Sequence, residues 1–184
     1  METTNKNKFF NFQMHDYSKL YLTIEMILLS GLSFILPIFI GHPQFLIGAI
    51  INFLLFRASL TMDFKRALPV ILLPSMGIFT AGVLFGSLTN YVIFFIPFIW
   101  IGNGVYVLSS KYINHRYKKT FGLNVVISSL IKSAVLFAGA LVMVNIFSFP
   151  AIFLTTMGLF QLHTALAGGF SAFALTKLEI ALRK

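Results

Sequence analysis

The segment from Gly122 to Phe147 is long and apolar enough to cross a lipid bilayer, yet it carries a lysine near its middle. With a rise of about 1.5 Å per residue, Lys132 would lie about 16 Å deep, close to the midplane of a hydrocarbon layer about 30 Å thick. A charge there costs at least about 2.5–3.5 kcal/mol on insertion scales. The chain must therefore fold so that Lys132 has a partner, a cavity or a functional role.

The composition supports a membrane protein. Of the 184 residues, 58% are hydrophobic and only 10% are charged, whereas soluble domains carry about 25% charged residues. The chain has no cysteine, which excludes disulfides, thiolate metal sites and cysteine catalysis. The formal net charge of +9 is spread between the apolar segments rather than gathered in one patch. We therefore expect no nucleic-acid partner, and nothing in the sequence indicates a cofactor or a metal site.

The apolar pattern predicts an all-α bundle of six transmembrane helices. The predicted spans are, in chain order, Leu20–Ile40, Gln44–Leu60, Ala67–Phe85, Asn90–Ser110, Gly122–Phe147 and Pro150–Leu175. The third span contains Pro69 and Pro74, so we expect it to be kinked or broken at Pro74. Residues 1–19 would form a cytoplasmic or interfacial segment, residues 20–176 the membrane domain, and residues 177–184 a cytoplasmic tail.

The positions of the basic residues predict the orientation of the bundle. All fourteen lysines and arginines except Lys132 lie near the two termini, in the second-to-third turn or in the fourth-to-fifth loop. The three remaining turns contain none. Because short cytoplasmic loops are enriched in Lys and Arg, both termini are predicted to be cytoplasmic. The chain would then be a multi-pass protein of the plasma membrane, in contact with lipid.

Four polar side chains from four spans fall at a similar predicted depth. Asn52, Asn103 and Gln161 lie about 12, 18 and 16 Å from the outer surface, level with Lys132 near the midplane. This layer predicts a substrate-binding pocket in which Lys132 holds an anionic or carbonyl-bearing group. The alternative is that each amide forms a structural hydrogen bond between helices, worth about 0.6 kcal/mol, and that Lys132 binds helix-end carbonyls or Asn103.

Glu25 is a possible charge partner for Lys132. It lies about five residues into the first span, closer to the cytoplasmic surface than Lys132. A direct pair would require adjacent and partly offset helices. Alternatively, Glu25 is an interfacial residue that reaches water at the headgroups.

Small residues recur at helical spacing and predict close approach between helices. Such a stripe serves either a compact bundle or a docking face. The stripes are Gly77-x-x-x-Ala81, Gly82-x-x-x-Gly86, Ala134-x-x-x-Ala138, Ala165-x-x-x-Gly169 and Gly168-x-x-x-Ala172.

The sequence predicts no enzymatic activity. It contains none of the motifs Gly-x-Ser-x-Gly, His-Glu-x-x-His or Gly-x-x-x-x-Gly-Lys-Ser/Thr. Ser128 and Ser129 lie one turn from Lys132, so a Ser–Lys dyad is conceivable. Small residues beside a buried lysine are also what packing requires, and we favour that interpretation.

Several motifs resemble the substrate-binding (S) components of energy-coupling-factor (ECF) transporters. They are Gly41-His-Pro-Gln44 followed by Gly48-x-x-x-Asn52, Ile96-Pro-Phe-Ile-Trp-Ile-Gly-Asn103, Leu130-Ile-Lys132, and Gln161-Leu-His-Thr-Ala-Leu-Ala-Gly-Gly169. The resemblance extends over residues 20 to 175. It implies a monomeric six-helix bundle with a small-molecule site reached from outside, docked onto a transmembrane coupling subunit that two separate ATPases drive. The first span lacks the Ala-x-x-x-Ala docking pattern of that family.

Two functions follow as expectations. The first is a substrate-capture subunit for uptake of a vitamin-like or anionic solute, working with ATPase-driven coupling subunits. The second is a non-catalytic scaffold whose small-residue faces bind another membrane protein, with Lys132 neutralising a carboxylate of that partner.

Overall fold

The computed structural model describes residues 10–11, 13, 17–40, 43–81, 88–117 and 121–182. Within these ranges every regular element is helical, so the all-α prediction is confirmed. The helices are α1 (Lys19–Phe39), α2 (Gln44–Thr61), α3 (Phe64–Ala81), α4 (Thr89–Arg116), α5 (Phe121–Phe147), α6 (Ile152–Met157) and α7 (Leu159–Leu182).

Four of these helices, α1, α2, α4 and α5, are long and apolar enough to cross a membrane. The described surface is apolar as well: Ile27, Leu28 and Leu130 are each more than half exposed. The interior, in contrast, holds polar side chains such as Asn52 and Lys132, which are almost fully buried. Apolar side chains outside and ionisable groups inside are the arrangement expected of a protein surrounded by lipid.

Helix α2 lies at the centre of the bundle. In its apolar window 61% of the residues are buried, compared with 22% in α1. It packs chiefly against α7 and also against α4, α3 and α1. The approach to α7 requires Gly168, because a Cβ there would collide with the backbone of Ala49 and Phe53 in α2.

The other small-residue stripes differ in whether they pack against a neighbouring helix. Gly77 of α3 faces the backbone of Phe34 in α1 so closely that a Cβ would not fit. Ala134 and Ala138, in contrast, are exposed on the outer surface of α5. The Gly82-x-x-x-Gly86 stripe lies outside the described residues. Small residues therefore serve internal packing in α3 and α7 but leave a free face on α5.

The sixth predicted span is not one continuous helix, which corrects the prediction. It is interrupted at Gly158, where ψ is −97°, outside the helical region. A Cβ at this position would lie 2.7 Å from the carbonyl of Leu154 and 2.9 Å from the ring of Phe137, so glycine is needed here. The hydroxyl of Ser133 donates to the Gly158 carbonyl at 2.8 Å. Beyond the break, the helix continues to Leu182 and includes most of the predicted tail.

Of the predicted kink or break at Pro74, the break does not occur, because α3 continues through both of its prolines. Side chains from α4 support this part of α3 by donating hydrogen bonds to its carbonyls. The indole of Trp100 donates to Leu72 at 3.0 Å, and the amide of Asn103 donates to Ile71 at 3.1 Å. Such bonds from neighbouring helices are one way in which membrane helices tolerate proline.

Helix α4 extends beyond its predicted end at Ser110 to Arg116. Lys111, which the sequence pattern placed in a loop, is therefore helical and fully buried. Its ammonium donates to the carbonyl of Met62 at the end of α2, which satisfies a backbone group that α2 itself cannot satisfy.

Candidate functional site

The ammonium group of Lys132 is held between two helices. Its Nζ donates to Oδ1 of Asn52 in α2 at 2.6 Å. It also lies 5.3 Å from the centroid of the Tyr106 ring in α4, within the range of a cation–π interaction. Tyr106 is in turn fixed by its hydroxyl, which donates to the carbonyl of Ala165 in α7 at 3.0 Å. Lys132 therefore has a defined position at the junction of α2, α4, α5 and α7.

Asn52 holds Lys132 in place, and its own side chain is fixed by further hydrogen bonds. Its Nδ2 donates to the carbonyl of Gly48 at 2.8 Å and to the hydroxyl of Thr164 in α7 at 3.2 Å. Both amide hydrogens are thereby used within the protein, which turns the amide oxygen towards Lys132. Thr164 lies one turn from Gln161, on the same face of α7.

Asn103 and Gln161 differ in how far their amides are engaged. Asn103 is almost fully buried and donates to the carbonyl of Ile71. Gln161 is half-buried, and within the described residues no hydrogen bond involves its side-chain amide. The whole Gln161 amide is therefore available to a ligand, whereas Asn103 keeps one amide hydrogen and its oxygen, and Asn52 has both amide hydrogens engaged.

The structure brings all four predicted site residues to one cavity of about 70 Å³. The cavity lies among the N-terminal halves of α2 and α4, the C-terminal half of α3, the middle of α5 and the break between α6 and α7. By the predicted topology this is the half of the bundle that faces outside. The rest of the wall is mostly apolar, and Gln44 and Thr156 are its polar members. The apolar members are Ile47, Gly48, Ile51, Pro74, Ile78, Val92, Ile99, Met157 and Phe160.

Lys132 forms no ion pair with any acidic residue in the described part of the chain. All three acidic residues there are engaged elsewhere. Asp63 pairs with Arg66, whereas Glu25 and Glu179 both pair with Arg57. The possible Glu25–Lys132 pair is therefore not formed. Glu25 lies near the start of α1 and pairs with Arg57 near the end of α2, because both positions are at the same end of the bundle.

Arg57 is the centre of a second buried charge cluster, which joins α1, α2 and α7. Its Nε lies 2.9 Å from Glu25 and its Nη1 lies 2.6 Å from Glu179. Its Nη2 donates to the hydroxyl of Tyr21 at 3.2 Å, and Nη1 also approaches Thr176. The sequence interpretation missed this cluster because it assigned Arg57 to a turn, although Arg57 lies inside the predicted second span.

Tyr106, which contacts Lys132, was also missed by sequence reasoning. A signal was present, since Tyr106 lies three residues after Asn103 and so shares its helix face. For Ser128 the Ser–Lys dyad gains no support, because its hydroxyl donates to Oδ1 of Asn124 at 2.8 Å.

The site is equipped to bind an anion or a polar group. Lys132 supplies a cation with three N–H donors, of which one is used by Asn52, and Gln161 supplies an unengaged amide. Comparison with protein-family models, curated proteins and solved structures finds no match to this chain. The chemistry of the cavity is therefore the basis for assigning a function.

Proposed function

We propose that the chain is a membrane-embedded capture subunit for a small solute, vitamin-like or anionic, whose negative or carbonyl-bearing group is held by Lys132. One observation carries this proposal: a buried ammonium with no carboxylate partner among the described residues lines a cavity shared with Asn52, Asn103 and Gln161. A buried charge without a counter-charge is costly. An anionic ligand would supply the missing charge, and the low dielectric of the interior would strengthen that contact.

The proposed setting is the plasma membrane. The chain would cross it six times with both termini in the cytoplasm, so the cavity would open towards the outside. Uptake would be driven by a separate transmembrane coupling subunit and its ATPases. This last element rests on the resemblance to the S components of ECF transporters. The chain itself would carry no enzymatic activity.

The test is thermal stabilisation of the purified protein in lipid nanodiscs by a panel of small solutes. We expect at least one anionic solute to raise the unfolding temperature of the wild-type protein and to have little effect on Lys132→Met. Lys177→Met is a matched control, because it removes one exposed positive charge from α7 far from the cavity. If the ligand stabilises Lys132→Met as strongly as the wild type, the role assigned to Lys132 is wrong.

The alternative function, a membrane scaffold, is favoured by one feature. Ala134 and Ala138 form a small-residue stripe on the exposed face of α5, where another helix could approach closely. In this case the protein should co-purify with a stable membrane partner that lacks ATPases, and no solute should stabilise it. Substituting leucine at both alanines should then release that partner. If solute capture is the function instead, the same substitutions should leave solute binding at Lys132 unchanged.

A further inference from the structure

The charge balance of the cavity wall limits what can bind there. Among the described residues that line the cavity, Lys132 is the only charged one, and none is a carboxylate. A ligand with one negative charge would therefore be neutralised, whereas a second negative charge would meet no cation. A positively charged group on the ligand would meet Lys132 and no acceptor carboxylate, so cations and zwitterions are disfavoured.

From this balance we propose that the ligand is a short-chain monocarboxylate with an apolar tail. The inference rests on the proposed solute-capture function and identifies the substrate class of the same site. Its head group would be recognised by two residues from different helices, Lys132 of α5 and Gln161 of α7.

The residues that would bind the head group are those whose hydrogen-bond donors are not used within the protein. The amide hydrogens of Asn52 are both used within the protein, by Gly48 and Thr164, so Asn52 positions Lys132 instead of binding the solute. Lys132 retains donors beyond its bond to Asn52, and the Gln161 amide has no described intramolecular bond. An ammonium and an amide N–H match the two oxygens of one carboxylate.

The rest of the wall selects the tail. Isoleucines from α2, α3 and α4 line most of it together with Phe160 of α7, and these side chains form no hydrogen bonds. Gln44 and Thr156 are the polar residues in this part of the wall. The volume of about 70 Å³ exceeds the 10–15 Å³ or so that one water needs by roughly fivefold. A ligand of about five to six non-hydrogen atoms, the size of butyrate, fits this room.

The experiment measures binding of four compounds of similar size to the full-length protein in nanodiscs. Butyrate is the predicted ligand, succinate adds a second carboxylate, 4-aminobutyrate adds an ammonium, and butyramide removes the charge. We expect butyrate to bind at least about tenfold more tightly than each of the other three, the effect of one charge-assisted hydrogen bond or more.

Two variants test the residue assignments. Lys132→Met should weaken butyrate binding by about 10- to 100-fold, and Gln161→Leu by about 3- to 10-fold, because the first loses a charged and the second a neutral hydrogen-bond donor. Asn145→Leu is the control for losing an amide. Asn145 is exposed on α5 and donates only to Leu141 of its own helix, so the variant should bind butyrate normally.

The outcomes separate this inference from the proposed function. If succinate or 4-aminobutyrate binds as tightly as butyrate, the monocarboxylate inference is overturned, while solute capture stands. The same holds if only a larger anion from the wider panel binds. If no solute of any class stabilises the protein, the capture function fails together with the inference.

Discussion

Lys132 and Arg57 are both buried cations in helices, with 2% and 5% of their surfaces exposed, but their surroundings differ. Arg57 is paired with two carboxylates and contacts a tyrosine hydroxyl. Lys132 has one neutral amide oxygen and the face of an aromatic ring. Arg57 lies where three helices meet, whereas Lys132 lines a cavity.

The comparison teaches that burial of a charge does not by itself identify a functional site. A paired charge that joins α1, α2 and α7 is explained by the fold, because its partners are all supplied within the protein. The lysine is different, because no described residue supplies its counter-charge and its free donors face a space that a ligand could occupy. When each cation is replaced by methionine, the free energy of unfolding should therefore fall strongly for Arg57 and change little for Lys132, whereas ligand binding should be lost only for Lys132.

The largest effect is expected for Arg57→Met. This change leaves Glu25 buried without its cation, and breaking one partner of a buried pair costs about 3–5 kcal/mol. The free energy of unfolding should fall by this amount in reversible unfolding with a denaturing detergent. Arg66→Met is the control, since Arg66 pairs with Asp63 at a partly exposed site and should cost about 1 kcal/mol or less. If both variants lost the same free energy of unfolding, the Arg57 cluster would not be the stabilising charge cluster that we contrast with Lys132.

A smaller loss in the free energy of unfolding is expected for Asn52→Leu. The variant removes the oxygen that accepts from Lys132, and a hydrogen bond to a charged group contributes about 1.5–3 kcal/mol. The same substitution in a Lys132→Met background should cost less, because the charged partner is already absent. A full loss in both backgrounds would mean that Asn52 acts through Gly48 and Thr164 rather than by supporting Lys132.

The sequence predicted that the four site residues form one layer, but it did not predict their partners. Depth follows from hydropathy and helical rise alone, so Asn52, Asn103, Lys132 and Gln161 could be assigned to one layer before any packing was known. Whether these side chains face one cavity depends on how each helix is rotated about its axis. A helix that is apolar on all sides gives no sequence pattern that defines this rotation. Glu25 was given the wrong candidate partner for a related reason, because Arg57 was counted with the turn.

The break at Gly158 could not be predicted from the sequence, for a different physical reason. No proline or charge interrupts the apolar pattern there, and a glycine within a membrane helix is common. The interruption depends on contacts from α5, where Ser133 donates to the Gly158 carbonyl and the Phe137 ring occupies the space of a Cβ. Such contacts between distant segments appear only once α5 and α7 are packed together.

The smallest change in stability, and the sharpest test of the comparison, is expected for Lys132→Met. Methionine has a similar volume and removes a costly buried charge, while the oxygen of Asn52 loses its donor at a cost of about 1–3 kcal/mol. Because these two effects oppose each other, the free energy of unfolding without ligand should stay within about 1 kcal/mol of wild type. The same detergent unfolding, repeated with saturating ligand, should stabilise the wild type alone. A loss as large as that of Arg57→Met, with ligand binding retained, would make Lys132 a second structural charge and leave the cavity without a functional cation.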